Sequence, residues 1–428
     1  MASTAFTPIN FNTLHLDEAE ASINVPSALR ATPYRWPEAR SLPTRKWLLG
    51  HWLQRGEVTV IIAPGGSGKS TIGHTLVLSL ASARELLGQT LPYGPQAAWV
   101  FNLEDGTDEL ERQMAAACIF HGISPADCGD RLYLDSGLVQ SLCMAAEDRE
   151  GFELNEELFS QVTNTIREKN IAAVIIDPFV SSHAVQENSN GAIDAIAKRW
   201  KRVAQETHCA IVLVHHTKKL GGREATAEDG RGAIALRDAA RIVLTLNPMS
   251  TSEANEIGIT DPKLRQSLVR IDTGKANRSP AGSSVWIKLE GQSLENGSGL
   301  EPPDFVGVAS LWEKPDLFQG LSSQHLYMFQ QGLASGDWRE SDQAHNWVGH
   351  LVAEILGLSV ETNKPRIKAI LKTWRNNGLH IVEHRRENGR DVPFVIVGRL
   401  VDPSEIAPNP HLKTCSAGGA ESVVDDPR

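Results

Sequence analysis

Short runs of apolar, mostly β-branched residues alternate with stretches in which apolar residues recur every three or four positions between about residues 47 and 294. The first pattern predicts buried β-strands and the second predicts amphipathic helices. Their alternation is typical of an α/β domain built on a mainly parallel sheet flanked by helices. The predicted strands are residues 58–62, 97–103, 172–176, 210–214, 242–246, 268–273 and 285–289.

The pattern changes on both sides of this region. Residues 1–45 contain several prolines and little periodicity, which predicts an extended N-terminal arm before an α/β domain over residues 46–295. Glycine and proline interrupt the pattern over residues 296–320, which predicts a linker. A second, small domain is expected over residues 321–400, and residues 401–428 have little to bury, which predicts a disordered tail.

The small domain has a pattern of its own. Helical periodicity covers residues 324–334, 344–356 and 361–377, and strand-like runs at 380–383 and 393–397 flank a charged turn. Three helices followed by a β-hairpin in this order resemble a winged helix-turn-helix.

Composition limits the classes of protein. A net charge of −10 argues against indiscriminate nucleic-acid binding, so any DNA contact must be local. No apolar run approaches the ~20 residues of a membrane span, and the first fifteen residues do not resemble a signal peptide, so we expect a cytoplasmic protein without membrane contact. The five cysteines lack C-x-x-C spacing and histidine partners, which favours reduced structural thiols.

The most specific motif is Ala-Pro-Gly-Gly-Ser-Gly-Lys-Ser at residues 63–70, between the first predicted strand and a helical pattern. Glycines let backbone N–H groups approach a triphosphate, and the helix start adds positive potential. We expect Lys69 to reach the outer phosphates of ATP and the Ser70 hydroxyl to bind Mg²⁺. The expected nucleotide contacts are Pro64, Gly65, Gly66, Ser67, Gly68, Lys69, Ser70 and Thr71.

Two carboxylates follow predicted strands, at the edge of the sheet where α/β proteins bind ligands. Asp177 fits the second magnesium-side ligand, and Glu104 fits a group that polarises the attacking water. The competing interpretation is that these acids cap helices, and Asp105 is expected to cap the helix that follows it.

A histidine pair, His215 and His216, ends a third predicted strand at the same edge. A strand-end imidazole can hydrogen-bond the γ-phosphate and couple its loss to the glycine-rich loop 219–232, which we expect to move. A shared metal ion is disfavoured, because adjacent side chains on a strand point to opposite faces.

With these motifs in this order, the domain resembles the RecA-like class and, more narrowly, the plasmid RepA-type hexameric replicative helicases. In that family the subunits form a ring with ATP at each interface, and a neighbour's arginine completes the site. The resemblance implies that role for Arg241 and phosphate contacts across an interface for Lys275 or Arg278; an ordinary surface salt bridge is the alternative for Arg241. The matching segments are 63–70, Leu103-Glu104-Asp105, Ile176-Asp177, His215-His216 with Lys218, Arg231-Gly232-Ala233 and Lys275-Ala276-Asn277.

Basic residues concentrate in the small domain. Residues 361–390 contain eight Lys or Arg against three acids, a net charge of +5 on the third helix and the hairpin tip. This favours contact with DNA phosphates, although a solvated face on a protein-binding domain is the alternative. The candidate DNA-binding residues are Lys364, Arg366, Lys368, Lys372, Arg375, Arg385, Arg386 and Arg390.

The leading hypothesis is a ring-forming, DNA-dependent ATPase that acts as a helicase or helicase-like replication protein of a mobile element. The alternative is an ATP-switched DNA-binding regulator that does not separate strands. A helicase needs basic or polar channel loops, and residues 218–231 supply four basic residues together with three acids. A small-molecule phosphotransferase ranks last, because no second substrate-binding insertion is recognised.

Overall fold

The structure is a computed structural model that describes residues 31–149, 151–217, 224–226, 233–276, 284–387 and 389–400. Two compact units are distinguished, Met1–Thr44 and Arg45–Arg428. The described part of the first unit, residues 31–44, contains one 3-10 turn at Ala39–Ser41 and an edge-to-face contact between Tyr34 and Trp36. The beginning of the predicted arm and the whole predicted tail lie outside the described residues.

The second unit carries the regular elements. Its strands are β1 (Trp47–Leu49), β2 (Leu53–Gln54), β3 (Val58–Ala63), β4 (Ala97–Asn102), β5 (Leu132–Ser136), β6 (Ala145–Glu147), β7 (Phe152–Leu154), β8 (Ile171–Asp177), β9 (Ala210–His216), β10 (Ile242–Pro248), β11 (Leu268–Ala276), β12 (Val285–Ser293), β13 (Phe305–Trp312), β14 (Trp338–Arg339), β15 (His380–Glu387) and β16 (Arg390–Val397). Its helices are α1 (Lys69–Ser82), α2 (Thr107–His121), α3 (Pro125–Cys128), α4 (Glu156–Glu168), α5 (Asn190–Thr207), α6 (Ala233–Ala239), α7 (Thr251–Ile257), α8 (Pro262–Ser267), α9 (Ser323–Ser335), α10 (Val348–Leu356) and α11 (Val360–Asn376).

One nine-stranded sheet dominates the unit, in the order β13-β12-β11-β10-β3-β9-β8-β4-β5. Strands β10 through β5 in this order pair in parallel, and β11, β12 and β13 extend the sheet in antiparallel fashion. This confirms the predicted α/β fold class, a mainly parallel sheet flanked by helices.

Both faces of the sheet are buried, which explains why its strands are continuous apolar runs. In β3, the Ile61 side chain belongs to the core shared with α1 and α2, whereas Val60 and Ile62 face the core shared with α4 and α5. The second core includes Phe159 and Trp200, whose rings meet edge to face with centroids 5.2 Å apart. The helices therefore hold the sheet from two sides and set the position of the strand ends.

The linker prediction for residues 296–320 is wrong in part. Strand β13 (Phe305–Trp312) lies in this segment and pairs with β12 along its whole length. Its two buried residues, Val308 and Ala309, are adjacent rather than alternating with exposed ones, and prolines and glycines precede the strand, so the sequence pattern did not reveal it.

The C-terminal part contains α9, α10 and α11 and an antiparallel sheet in the order β14-β16-β15, in which β14 comes from the segment between α9 and α10. Phe329, Val352, Ile367 and Ile370 are buried in its own core. The helices and the hairpin occur in the predicted order, but residues 384–387 and 390–391 continue the two strands instead of forming a turn. Assignment to the winged helix-turn-helix class stays a prediction.

Candidate active site

The phosphate loop connects β3 to α1, as its motif predicts. Gly66 and Gly68 adopt left-handed backbone conformations, with φ of +74° and +76°, which side-chain-bearing residues rarely adopt. A Cβ atom on Gly65 or Gly66 would meet nothing within 4 Å, so the backbone there is open to an approaching phosphate. At Gly68 a Cβ atom would lie 2.6 Å from the Leu289 side chain of β12.

Lys69, the first residue of α1, is buried and donates a hydrogen bond from Nζ to the Pro64 carbonyl at 2.9 Å. Burial lowers the pKa of Lys69, and the carboxylates of Asp177 and Glu104 oppose that shift. The ammonium group therefore lies among the loop and both predicted acids.

Asp177 is the last residue of β8 and is buried. Its carboxylate accepts a hydrogen bond from the Ser70 side chain; burial raises the pKa of Asp177, while this bond and Lys69 oppose the increase. A hydroxyl beside a carboxylate, next to an open backbone cradle, is a donor set that suits Mg²⁺ held together with phosphate oxygens. Ser70 and Asp177 would hold that ion.

Glu104 follows β4 and is exposed to solvent. The backbone N–H groups of Glu104 and Asp105 both donate to the Asn102 side-chain oxygen, at 2.9 and 2.8 Å, which orders this turn. The expected helix cap at Asp105 is wrong: the N-cap of α2 is Gly106, and the Asp105 carboxylate instead accepts from Gln113 at 3.2 Å.

His215 and His216 are the last residues of β9, paired with Ile62 and Ala63 of β3. Burial and the nearby Lys69 lower the pKa of His216, whereas Glu104 and Glu187 oppose that effect. The His216 ring thus lies near the Lys69 ammonium. His215 is more deeply buried.

Sequence reasoning missed two groups beside these histidines. His183 and Glu187 belong to the segment after β8. Burial lowers the pKa of His183, the Glu187 carboxylate raises it, and the nearby His215 lowers it further. Their position after the carboxyl end of a strand was the available signal, because side chains following such strands meet at one edge of the sheet.

Arg241 lies at the opposite edge. Its backbone N–H donates to the carbonyl of Val58, the first residue of β3, at 3.2 Å. The phosphate loop follows the other end of that strand, about 17 Å away at the rise of a parallel strand. Burial lowers the pKa of Lys275, and the Asp238 carboxylate opposes that decrease. The positive charge of Arg241 lowers the pKa of Lys275 further, which places the two basic residues near each other.

Several predicted residues lie outside the described part of the chain. Among them are Arg278, which was expected to contact phosphates, and the basic residues of the predicted channel loop, Lys218, Lys219, Arg223 and Arg231.

The predicted DNA-binding face carries less free charge than the sequence count suggests. Lys364 and Lys368 pair with Asp342, Arg375 with Glu340, and Arg385 with Asp337 and Glu383. Arg366 donates to the carbonyls of Leu317 and Gln319. The +5 count omitted the acids of residues 337–342, which are distant in sequence from α11. In the described part of the chain, no ion pair engages the remaining three candidates, Lys372, Arg386 and Arg390.

Among the described residues, no helix is both long and apolar enough to cross a bilayer.

Two comparisons with known proteins gave matches. A family model described as an AAA domain matches residues 24–222, under half of the chain but including the phosphate loop, both acids and the histidines. The match supports a P-loop ATPase domain that hydrolyses nucleotides, a class that generally uses ATP with Mg²⁺. Among solved structures, a KaiC-like protein from the hyperthermophilic archaeon Pyrococcus horikoshii OT3 is 13% identical, covers 58% of this chain and 95% of its own, and has a TM-score of 0.39.

Proposed function

We propose that the protein is an ATP-hydrolysing, ring-forming DNA helicase, or a helicase-like replication protein of a mobile element, with ATP bound between subunits. The observation that carries this proposal is the separation of the site's parts. Lys69, Ser70 and Asp177 share one edge of the sheet, and Arg241 with Lys275 occupies the other.

The residues of the first edge have distinct tasks. Backbone N–H groups of residues 65–70 and the Lys69 ammonium bind the phosphates and neutralise charge on the transferred group. Ser70 and Asp177 would hold a Mg²⁺ ion, which would supply positive charge to the phosphate oxygens. Glu104 accepts a hydrogen bond from the attacking water and orients it toward the γ-phosphate.

Arg241 is too far from the phosphate loop of its own chain to contact the same nucleotide. A head-to-tail contact between copies brings opposite edges of two subunits together and closes into a ring when the rotation allows. Arg241 and Lys275 then supply positive charge to the neighbour's transition state, so hydrolysis depends on assembly. A hexamer is the assembly that the family resemblance favours.

An ATP-switched DNA-binding regulator is the second candidate. It is favoured by the packing of α11 on the ATPase domain. There, the Pro365 side chain of α11 lies 3.1 Å from the position that a Cβ atom on Gly258, directly after α7, would occupy. Through this contact, a nucleotide-dependent shift of α7 would reposition the basic face of α11 without any strand separation.

The deciding experiment measures ATP hydrolysis against protein concentration, with and without single-stranded DNA, and strand displacement on a forked duplex. A helicase shows stimulation by single strands together with displacement. Glu104→Gln is expected to lower kcat by roughly 10²–10⁴-fold and to abolish displacement, while retaining ATP binding.

The matched control is Glu111→Gln, an exposed acid on α2, which should behave as wild type. Hydrolysis that rises with protein concentration but ignores single strands and displaces nothing would favour the regulator. Full activity of Glu104→Gln would contradict the role of that carboxylate.

A further inference from the structure

We propose that residues 337–342, which are the short strand β14 and its flanking residues and are here called the acidic loop, act as a built-in competitor for nucleic acid. Their carboxylates occupy the basic side chains of α11 and the β15–β16 hairpin that phosphate groups would otherwise contact. This inference rests on the proposed DNA binding and concerns how that binding is regulated.

Each acid of the loop engages a different part of the basic face. Asp342 lies 3.1 Å from Lys364 Nζ and 2.5 Å from Lys368 Nζ, so it bridges two lysines one helical turn apart on α11. Hydrogen bonds from these lysines hold the pKa of Asp342 well below its usual range. Glu340 pairs with Arg375 at the end of the same helix.

The third acid extends the pattern to the hairpin. Asp337 accepts from Arg385 Nη1 at 2.8 Å. One short loop thus pairs with four of the eight basic residues that the sequence assigns to DNA contact. A charged loop placed by chance on a mixed surface would not be expected to match successive cations of one face so regularly.

A cavity of about 470 Å³ lies beside these ion pairs. Its lining includes Glu340 and Asp342 of the acidic loop together with Lys368, Lys372 and Arg375 of α11. No ion pair involves Lys372 in the described part of the chain, so its ammonium is the first available contact for a phosphate. From there a phosphate can displace the neighbouring carboxylates in turn.

The path of the loop does not depend on these ion pairs. Glu340 N–H donates to the Pro393 carbonyl at 3.2 Å, and Arg339 N–H donates to the Asn346 carbonyl at 3.0 Å. The indole N–H of Trp338 donates to the Gly332 carbonyl at 2.9 Å. Neutral side chains can therefore replace the acids while the backbone keeps its position.

The pairs are weak enough to be exchanged. The paired side chains of Lys368 and Arg375 are 53% and 51% exposed, and exposed ion pairs contribute little to stability. Nucleic acid releases condensed counterions when its phosphates are neutralised, which favours exchange at low salt. The acidic loop therefore lowers the affinity for nucleic acid at low salt and makes that affinity less sensitive to salt, without closing the surface.

The test is the full-length triple variant Asp337→Asn, Glu340→Gln, Asp342→Asn. Its affinity is measured by fluorescence anisotropy with a labelled single strand and with the matching duplex, which separates the two forms of nucleic acid. At low salt we expect binding about tenfold tighter than wild type, and at high salt the difference should vanish. The control variant Glu301→Gln, Glu313→Gln, Glu354→Gln removes the same number of negative charges from exposed acids elsewhere. Its affinity for nucleic acid should increase much less.

A second variant, Lys372→Ala, Arg386→Ala, Arg390→Ala, separates the possible failures. If it loses DNA binding while the acidic-loop variant gains none, the loop is only a structural ion-pair network and the competitor proposal is overturned. If neither variant changes binding, this face does not bind DNA and the proposed function fails there too. Should the triple acidic variant unfold on heating well before wild type, the single change Asp342→Asn, which releases Lys364 and Lys368, provides the same comparison.

Discussion

Asp177 has opposing requirements in the empty and the loaded site. As a buried carboxylate it carries a desolvation cost that the Ser70 hydrogen bond and the Lys69 charge offset only in part, so its pKa is raised. A bound cation would reverse this balance, because it favours the ionised carboxylate. In our proposal, Ser70, Lys69 and Asp177 form a site that costs stability and whose cost bound nucleotide and metal would relieve.

Asp177→Asn is accordingly expected to stabilise the nucleotide-free protein at neutral pH, by a few degrees in Tm, while abolishing ATP hydrolysis. Because the folded-state pKa is raised above the unfolded value, the cost is present above the folded pKa and is relieved as pH falls through it. The gain in Tm over wild type should thus shrink in acid. Calorimetry across pH checks this, with the change Asp130→Asn at an exposed acid as control; an unchanged or lowered Tm at neutral pH would contradict it.

At the scale of elements, the antiparallel strands β12 and β13 do more than extend the sheet. Leu289 of β12 lies where a Cβ atom on Gly68 would be, and His121 of α2 contacts the Ala309 carbonyl of β13 at 2.9 Å. The two strands therefore pack against the start of α1 and connect it to α2. The phosphate loop depends on a part of the chain more than 200 residues away for its local shape.

Gly68→Ala is expected to destabilise the protein by about 1–2 kcal/mol from the left-handed conformation alone, with a further cost from the contact with Leu289. Gly65→Ala is the matched control, since a Cβ atom there meets nothing within 4 Å and its φ lies outside the left-handed range. Chemical denaturation without nucleotide measures both. Equal stability of the two variants would show that the loop does not need this conformation.

At the scale of the whole molecule, the two edges of the sheet make one chain an incomplete catalyst in our proposal. The nucleotide-binding residues and the pair Arg241 and Lys275 are separated by the length of β3, and no side chain spans that distance. Assembly then controls chemistry directly, because every complete site contains two subunits.

Mixing two inactive variants tests this dependence. Lys69→Ala lacks the contact with the phosphates of its own nucleotide, and Arg241→Ala lacks the cation that a subunit supplies to its neighbour's site. Each variant alone should therefore lose turnover. In an equimolar mixture about a quarter of the interfaces would combine the intact halves, and turnover should return to a comparable fraction. A mixture of Lys69→Ala with the double variant Lys69→Ala, Arg241→Ala forms no complete site and should stay inactive; wild-type turnover of Arg241→Ala alone would refute the assignment.

The residue pattern was sufficient to identify the phosphate loop, the strand-end groups Glu104, Asp177, His215 and His216, and the alternation of strands and helices. Each of these depends on short-range chemistry: glycines where backbone must approach phosphate, apolar runs where both faces are buried, and polar groups where a strand ends. Such signals are complete within a few neighbouring residues.

Other features depended on contacts between distant segments. The pairing of β13 with β12, the packing of Leu289 against Gly68, the distance of Arg241 from its own phosphate loop and the carboxylates opposite the basic face of α11 all join residues that no local window contains together. Charge and burial at a site are sums over everything packed against it, so a count along the chain overestimated the free positive charge of residues 361–390, and only the folded arrangement showed which cations are already neutralised.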